Sequence, residues 1–201
     1  MRHGRHAAAT ALLGLGVLLL AGCALTGAEP APQGPQTIAP ERSIVHLPDE
    51  LARARLAVRR KIERGVLQER VVLGNDTAVA GENAIVVHTR WRGDPWYMFT
   101  NGRFASPYTE TSIDQRVTGE FAGWRTIAPP VERVNRHGRY RYIAAADDDV
   151  RCVLAWQIID ATASLTGEVN SYALDFRFCD RRRAVEDLLA LFDQLDLQPY
   201  L

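Results

Sequence analysis

Two alternating runs, one beginning and the other ending in a cysteine, most restrict what this chain can fold into. From Cys152 to Ile159, Val153, Ala155 and Gln157 alternate with Leu154, Trp156 and Ile158. From Ser171 to Cys179, Tyr172, Leu174, Phe176 and Phe178 face one way, and Ala173, Asp175 and Arg177 the other. A period of two marks strands, because successive side chains on extended backbone point to opposite faces. The second run reads as a half-buried strand with a polar outer face. Thr162 to Gly167 supplies a turn between them. If the two strands pair antiparallel, Cys152 and Cys179 lie near the same end, where a bridge is geometrically reasonable. Two buried free thiols are the alternative. A two-Cys metal site lacks a second ligand pair at zinc spacing.

The elements on either side extend this sheet. Val66 to Leu73 and Glu82 to Trp91 read as strands, separated by the Gly74-Asn75-Asp76 turn signal and Gly81. In the first of them Leu67, Glu69, Val71 and Leu73 share one face. Val131 to Ala144 reads as extended chain around an Asn135-Arg136-His137-Gly138 turn, with Tyr140, Tyr142 and Ala144 on one side. Three helices are expected. Pro48-Asp49-Glu50 opens the first, Leu51, Ala54, Arg55, Val58 and Ile62 recur at helical spacing, and Gly65 stops it. Its basic side (Arg53, Arg59, Arg60, Lys61, Arg64) reads as a solvated face. Ile113, Val117, Phe121 and Trp124 fit a second helix over Thr111 to Trp124, barred from continuing by Ala128-Pro129-Pro130. The third is a terminal amphipathic helix with a stripe of Val185, Leu188, Leu189, Phe192 and Leu195, Asp180 capping its start and Pro199 ending it. Strands followed by a packing helix imply an α+β domain: an antiparallel sheet packed by an N-terminal and a C-terminal helix.

The amino terminus indicates where such a domain would work. Arg2 and Arg5 precede an uncharged run from Ala7 to Leu20, and Ala21 and Gly22 lead into Cys23. This is a secretory signal layout, and its apolar run of about 14 residues falls short of the roughly 20 that span a bilayer. Leu20-Ala21-Gly22-Cys23 is similar to the lipobox of bacterial lipoproteins. That resemblance implies removal of residues 1–22, lipid on the Cys23 sulfur and an acylated new amino terminus. Two or more acyl chains hold a protein on a membrane almost permanently, at about 0.8 kcal/mol per buried CH₂. Ala24, not Asp, follows the Cys, which by the same resemblance favours the periplasmic side of the outer membrane. An oxidising compartment suits a Cys152–Cys179 bridge, whose closure the chain-entropy model values at about 3–4 kcal/mol. Residues 23–42, with Pro30, Pro32, Pro35 and Pro40, read as a tether, and 43–201 as one globular domain.

Cleavage takes away two of the 24 Lys and Arg and none of the 24 Asp and Glu, leaving a slight acid excess. A near-neutral chain has no strong electrostatic claim on nucleic acid. His46, His88 and His137 do not sit at i, i+4 from another ligand candidate, so no helix presents a metal pair. Asp147-Asp148-Asp149 lacks the alternating oxygen ligands of a calcium loop and reads as solvated. No Gly-x-Ser-x-Gly, phosphate loop or dinucleotide fingerprint occurs, and no catalytic residue or cofactor is expected. The most aromatic stretch carries Trp91, Trp96, Tyr97, Phe104 and Tyr108, which either contact a glycan or partner or cap the core. Arg92-Gly93-Asp94 within it is a chance tripeptide.

Asn135-Arg136-His137-Gly138-Arg139-Tyr140, Cys152-Val153-Leu154-Ala155-Trp156-Gln157 and Arg177-Phe178-Cys179, followed by the Leu-rich terminal helix, resemble the BcsN family of alphaproteobacterial cellulose-biosynthesis accessory lipoproteins over Val131 to Leu201. The resemblance implies an envelope protein serving export or assembly of an exopolysaccharide, with other envelope proteins as partners. An assembly lipoprotein of a pilus or secretion machine, and a periplasmic glycan binder or hydrolase, are the alternatives.

Overall fold

The computed structural model describes residues 34–48, 52, 54–63, 66–91, 110–160 and 169–198, all within one compact unit, Pro32–Leu201. Its frame is a nine-stranded, wholly antiparallel sheet. The strands are β1 (Gln36–Ile38), β3 (Ala54–Glu63), β4 (Val66–Leu73), β5 (Ala84–Trp91), β6 (Thr126–Ile127), β7 (Val131–Asn135), β8 (Gly138–Asp147), β9 (Val150–Asp160) and β10 (Val169–Asp180). Their order is β1-β3-β4-β5-β10-β9-β8-β6, and β7 pairs with β8 beside β6. A separate ladder joins β2 (Val45–His46) to β11 (Asp196–Leu197). Helix α1 (Glu110–Glu120) packs on one face of the sheet and α2 (Val185–Gln194) on the other.

The pairing of β9 with β10 is the one the alternation demands. Cys179 lies directly opposite Cys152, and the two form a disulfide with a Cα–Cα distance of 4.0 Å. Both cysteines are buried, among Phe121, Ala145, Val150 and Leu154. Tyr172, Leu174, Phe176 and Phe178 face α2, whose Leu188, Leu189, Leu191 and Phe192 are wholly enclosed. Burying a side chain of this size contributes about 1.5–3 kcal/mol. Phe192 meets Tyr140 edge-on at 4.9 Å and Phe176 at 5.5 Å between ring centroids. The other side of β10 is not the polar outer face expected from its Asp and Arg. Ala173 and Arg177 are buried there, because α1 and the residues around Phe121 cover that face and supply ion pairs to the charged side chains.

Three other expectations change. The expected first helix is β3, a strand, so the sheet is packed by helices from the middle and end of the chain. Ala54, Val58 and Ile62 recur every four residues, which is about one helical turn but also two strand repeats, so the spacing fits either backbone. The decision is tertiary: Ala57 and Arg59 point to the α2 face beneath the arm that precedes β3, and Ile62 stays 44% exposed. Arg59 is therefore no part of a solvated stripe. Next, the ordered domain reaches back into the expected tether, since Gln36–Ile38 pairs with Ala57–Arg59 and Pro40–Arg42 forms a 3₁₀ turn. Last, Asp180 does not cap α2. Its Oδ1 accepts from the N–H groups of Arg182 and Arg183 in a turn ahead of the helix, and Asp187 accepts from Ala184 N–H at the helix start.

Gly138 closes the β7–β8 hairpin with φ at +115°, a conformation open to glycine. A Cβ there would meet no atom within 4 Å, so Gly138→Ala should cost backbone strain alone, about 1–3 kcal/mol. Urea denaturation of the variant checks this.

Candidate functional site

The β3–β5 half of the sheet carries a polar row on its α1 face. Arg60 pairs with Gln68, and Gln68 with His88, across three adjacent strands. Arg60 Nε donates to Gln68 Oε1 at 2.6 Å, which turns the amide nitrogen toward His88 Nε2, 2.7 Å away. Gln68 then donates, His88 Nε2 accepts, and the imidazole proton sits on Nδ1. Burial holds the His88 pKa below its ordinary value, opposed by Asp175 and reinforced by Arg60.

Asp175 starts a second cluster. It binds Arg116 of α1, whose Nε reaches Glu120 at 2.7 Å; Glu120 in turn accepts from Arg177 Nε at 2.7 Å. Arg177 also donates to the carbonyls of Glu82 and Ala80. Gly81, at φ +96°, lets the backbone approach the guanidinium, with a Cβ position only 3.3 Å from Arg177 Cζ. Each acid in the cluster is matched by an arginine that is itself at least half-buried. This is the geometry of a clasp that docks α1 on the sheet.

The acidic β8–β9 turn is ion-paired as well. Asp148, at φ +49°, sits in the tight β8–β9 turn, with Arg125 on Asp147 and Asp148 and Arg181 on Asp149. Thr89 Oγ1 and Tyr172 OH are register partners, buried on the α2 face without a hydrogen bond among the described residues. Burial pushes the Tyr172 hydroxyl up to about 12. A cleft of about 410 Å³ opens between the N-terminal arm and β3–β4, lined by Glu41, Val45, His46, Ala54 and Val71 among others. Among the described residues no three His, Cys, Asp or Glu side chains gather to hold a metal ion. No described helix is long and apolar enough to cross a membrane.

The aromatic candidates fall largely outside this geometry. Trp91 is the last residue of β5, in register with Val169 at the start of β10. Trp96, Tyr97, Phe104 and Tyr108 lie outside the described residues, as do Cys23, Arg92-Gly93-Asp94 and the Thr162 to Gly167 turn.

The sequence motifs, by contrast, converge on one place. Asn135, Arg136 and His137 form the end of β7 and its turn, which abuts the carboxyl end of α2. Arg136 donates to the carbonyl of Leu195 and, at 3.3 Å, to that of Gln194, and His137 Nε2 lies 3.2 Å from the Leu195 oxygen. These are the carbonyls a helix leaves unsatisfied at its end, and cations there also oppose its dipole. Asn135 and Gln157 exchange two 3.0 Å amide hydrogen bonds. Tyr140 OH donates to Asp193 at 2.7 Å. A family model described as cellulose biosynthesis protein BcsN matches residues 46–201. The chain belongs to that family. No curated protein and no solved structure matches it. The match takes in every strand from β3 onward and both helices, a wider span than the motifs alone. These sequence stretches are thus joints of the fold: Arg136 and His137 cap α2, Gly138 makes the turn, Cys152 and Cys179 bridge, and Arg177 clasps α1. Family membership ties the protein to cellulose biosynthesis.

Two histidines give this architecture a pH dependence. The pKa of His137 is lowered by burial and by Arg136, against the raising pull of the Leu195 carbonyl and Asp196; that of His88 is lowered as above. A depressed folded-state pKa means that the unfolded chain binds more protons, so the contribution is complete above the ordinary value of 6.5 and is lost as pH falls through the folded value. The urea midpoint should therefore drop between pH 7.5 and 5.5, and a His88→Gln, His137→Gln variant should show a shallower drop.

Proposed function

We propose that this protein is a non-enzymatic accessory lipoprotein of cellulose biosynthesis or export, held in the cell envelope by acyl chains on Cys23. The observation that carries the reading is the BcsN match over 46–201. Two features support the finer points. The residues most distinctive in the motifs act on the protein's own helices and strands. The Leu20-Ala21-Gly22-Cys23 tetrapeptide ends a secretory apolar run. A protein of this kind works by holding other envelope components in place, so its polar residues serve shape and docking.

The test is complementation of a deletion strain. The wild-type gene should restore cellulose output, read by dye binding and by acid-hydrolysed glucose. Cys23→Ser should leave the protein unlabelled by palmitate, release it from membranes and fail to restore output. Full restoration by a soluble, unlabelled Cys23→Ser protein would refute the anchored role. Release of soluble sugar from cellulose by the purified protein would refute the non-enzymatic one, and unchanged cellulose in the deletion strain alongside a lost pilus would point to a different machine.

A further inference from the structure

The bond between Cys152 and Cys179 lies under a roof made of two separate segments. The cysteines are 0% and 1% exposed. Val117, Phe121 and Trp124, from α1 and the turn after it, pack over them together with Val79 of the loop between β4 and β5. The Phe121 and Trp124 rings lie 4.9 Å apart between centroids.

One side chain fastens both segments. Arg177 shares the α1 face of β10 with Cys179, two residues on, and is itself buried. Its Nε donates at 2.7 Å to Glu120, the residue before Phe121. Its other two nitrogens donate to the carbonyls of Ala80, at 2.7 Å, and Glu82, at 3.0 Å, in the loop that carries Val79. Asn83 pins the end of that loop to Cys179 itself. Its side chain accepts from the Cys179 N–H at 2.7 Å and donates to the Cys179 carbonyl at 2.9 Å. Arg116 adds a tie from α1 to Asp175.

We propose that this roof is a gate on the bridge: the Cys152–Cys179 bond is made and broken only while α1 and its turn are lifted, and Arg177 is the latch. The chemistry demands access. Disulfides exchange by attack of a thiolate on sulfur, and an anion does not enter a dry apolar pocket unpaired. Oxidation takes two electrons and two protons from the cysteine pair and passes them to an external disulfide through a mixed disulfide. Reduction by a dithiol runs the same steps backward and leaves the dithiol as a cyclic disulfide. In both directions one cysteine is for a time bonded to the reagent, and the closed roof leaves no room for it. The reaction that supplies this bridge is therefore thiol–disulfide exchange on a chain whose α1 has not yet docked.

Reduction kinetics test the gate. Oxidised full-length protein with Cys23→Ser is exposed to dithiothreitol and quenched with iodoacetamide, and its alkylated cysteines are counted by mass spectrometry. Arg177→Gln should be reduced at least about tenfold faster than the parent, since breaking a buried ion pair from one side is worth more than one decade in an opening equilibrium. Arg116→Gln should act in the same direction, and it carries the test if circular dichroism shows Arg177→Gln unfolded. Glu69→Ala, which loosens the opposite face of the sheet, should leave the rate nearly unchanged, because a local opening is independent of distant stability. In the forming direction, chain refolded in the presence of oxidised glutathione should close the bridge at least about tenfold faster than reduced chain that is refolded first and then given the same oxidant. Equal rates for the parent and both arginine variants, equal acceleration by Glu69→Ala, or equal oxidation before and after refolding would overturn the proposal.

Discussion

Glu69→Ala should destabilise the domain by about 3–5 kcal/mol, the range for breaking a buried ion pair from one side. Glu69 is fully enclosed on β4. Its Oε1 takes Arg59 Nε at 2.6 Å, and its Oε2 takes both Ser43 Oγ at 2.9 Å and Ile44 N–H at 2.7 Å. Ser43 Oγ accepts in turn from Val45 N–H, and Arg59 donates to the Arg42 carbonyl. One carboxylate therefore ties Ser43 and Ile44 of the N-terminal arm to the sheet. Alanine would leave a buried hydroxyl and a buried amide without their acceptor and a partly exposed guanidinium without its carboxylate. Against a total of about 5–15 kcal/mol for an ordinary domain, the loss is a large fraction. Urea denaturation measures it, and hydrogen exchange locates it: the Ile44 and Val45 amides should lose protection before those of Leu174 or Val153. A Glu69→Leu, Arg59→Leu double variant should recover much of the loss, because it removes both charges together.

The clamp shows how far the sequence could be read. Glu69 was not singled out in the sequence, although a lone acid sharing a strand face with Leu67, Val71 and Leu73 is the signal that could have found it. What pairs with it could not be read, because Arg59 lay in a segment whose four-residue spacing fitted a helix as well as a strand. The strands around the cysteines, β4, β5, the β7–β8 hairpin and both helices were legible from local period and turn residues. β1 was not. Three residues between prolines carry no strand pattern of their own, and they are ordered only because β3 offers them an edge. The burial of Arg177 was likewise hidden, since it depends on α1 arriving from elsewhere in the chain. The polar row of Arg60, Gln68 and His88 is a product of register across three strands, information that no single segment contains.

The same logic explains why the motifs were visible before their purpose was. Asn135-Arg136-His137-Gly138 reads as a turn from its composition. That the turn ends the last helix follows only when α2 crosses the sheet and brings Leu195 to it.

Replacing both Cys152 and Cys179 by Ala should remove about 3–4 kcal/mol, the loop-closure entropy of a bridge spanning this distance in the chain. The sequence separation is 27. For a domain of this size that is a drop in Tm of roughly 7–15 °C. The cysteines are register partners on adjacent strands, so the bridge adds nothing the folded ladder lacks; its effect falls on the unfolded chain, which it keeps from opening the β9–β10 loop. The variant should keep the native far-ultraviolet spectrum and the α2 packing, since Ala fits the space around Phe121 and Leu154 with only a small cavity. Its folding should also become indifferent to reductant, whereas the wild-type chain folded with dithiothreitol should melt near the variant's temperature. Equal melting of oxidised and reduced wild type would show that the bridge does not constrain the unfolded state.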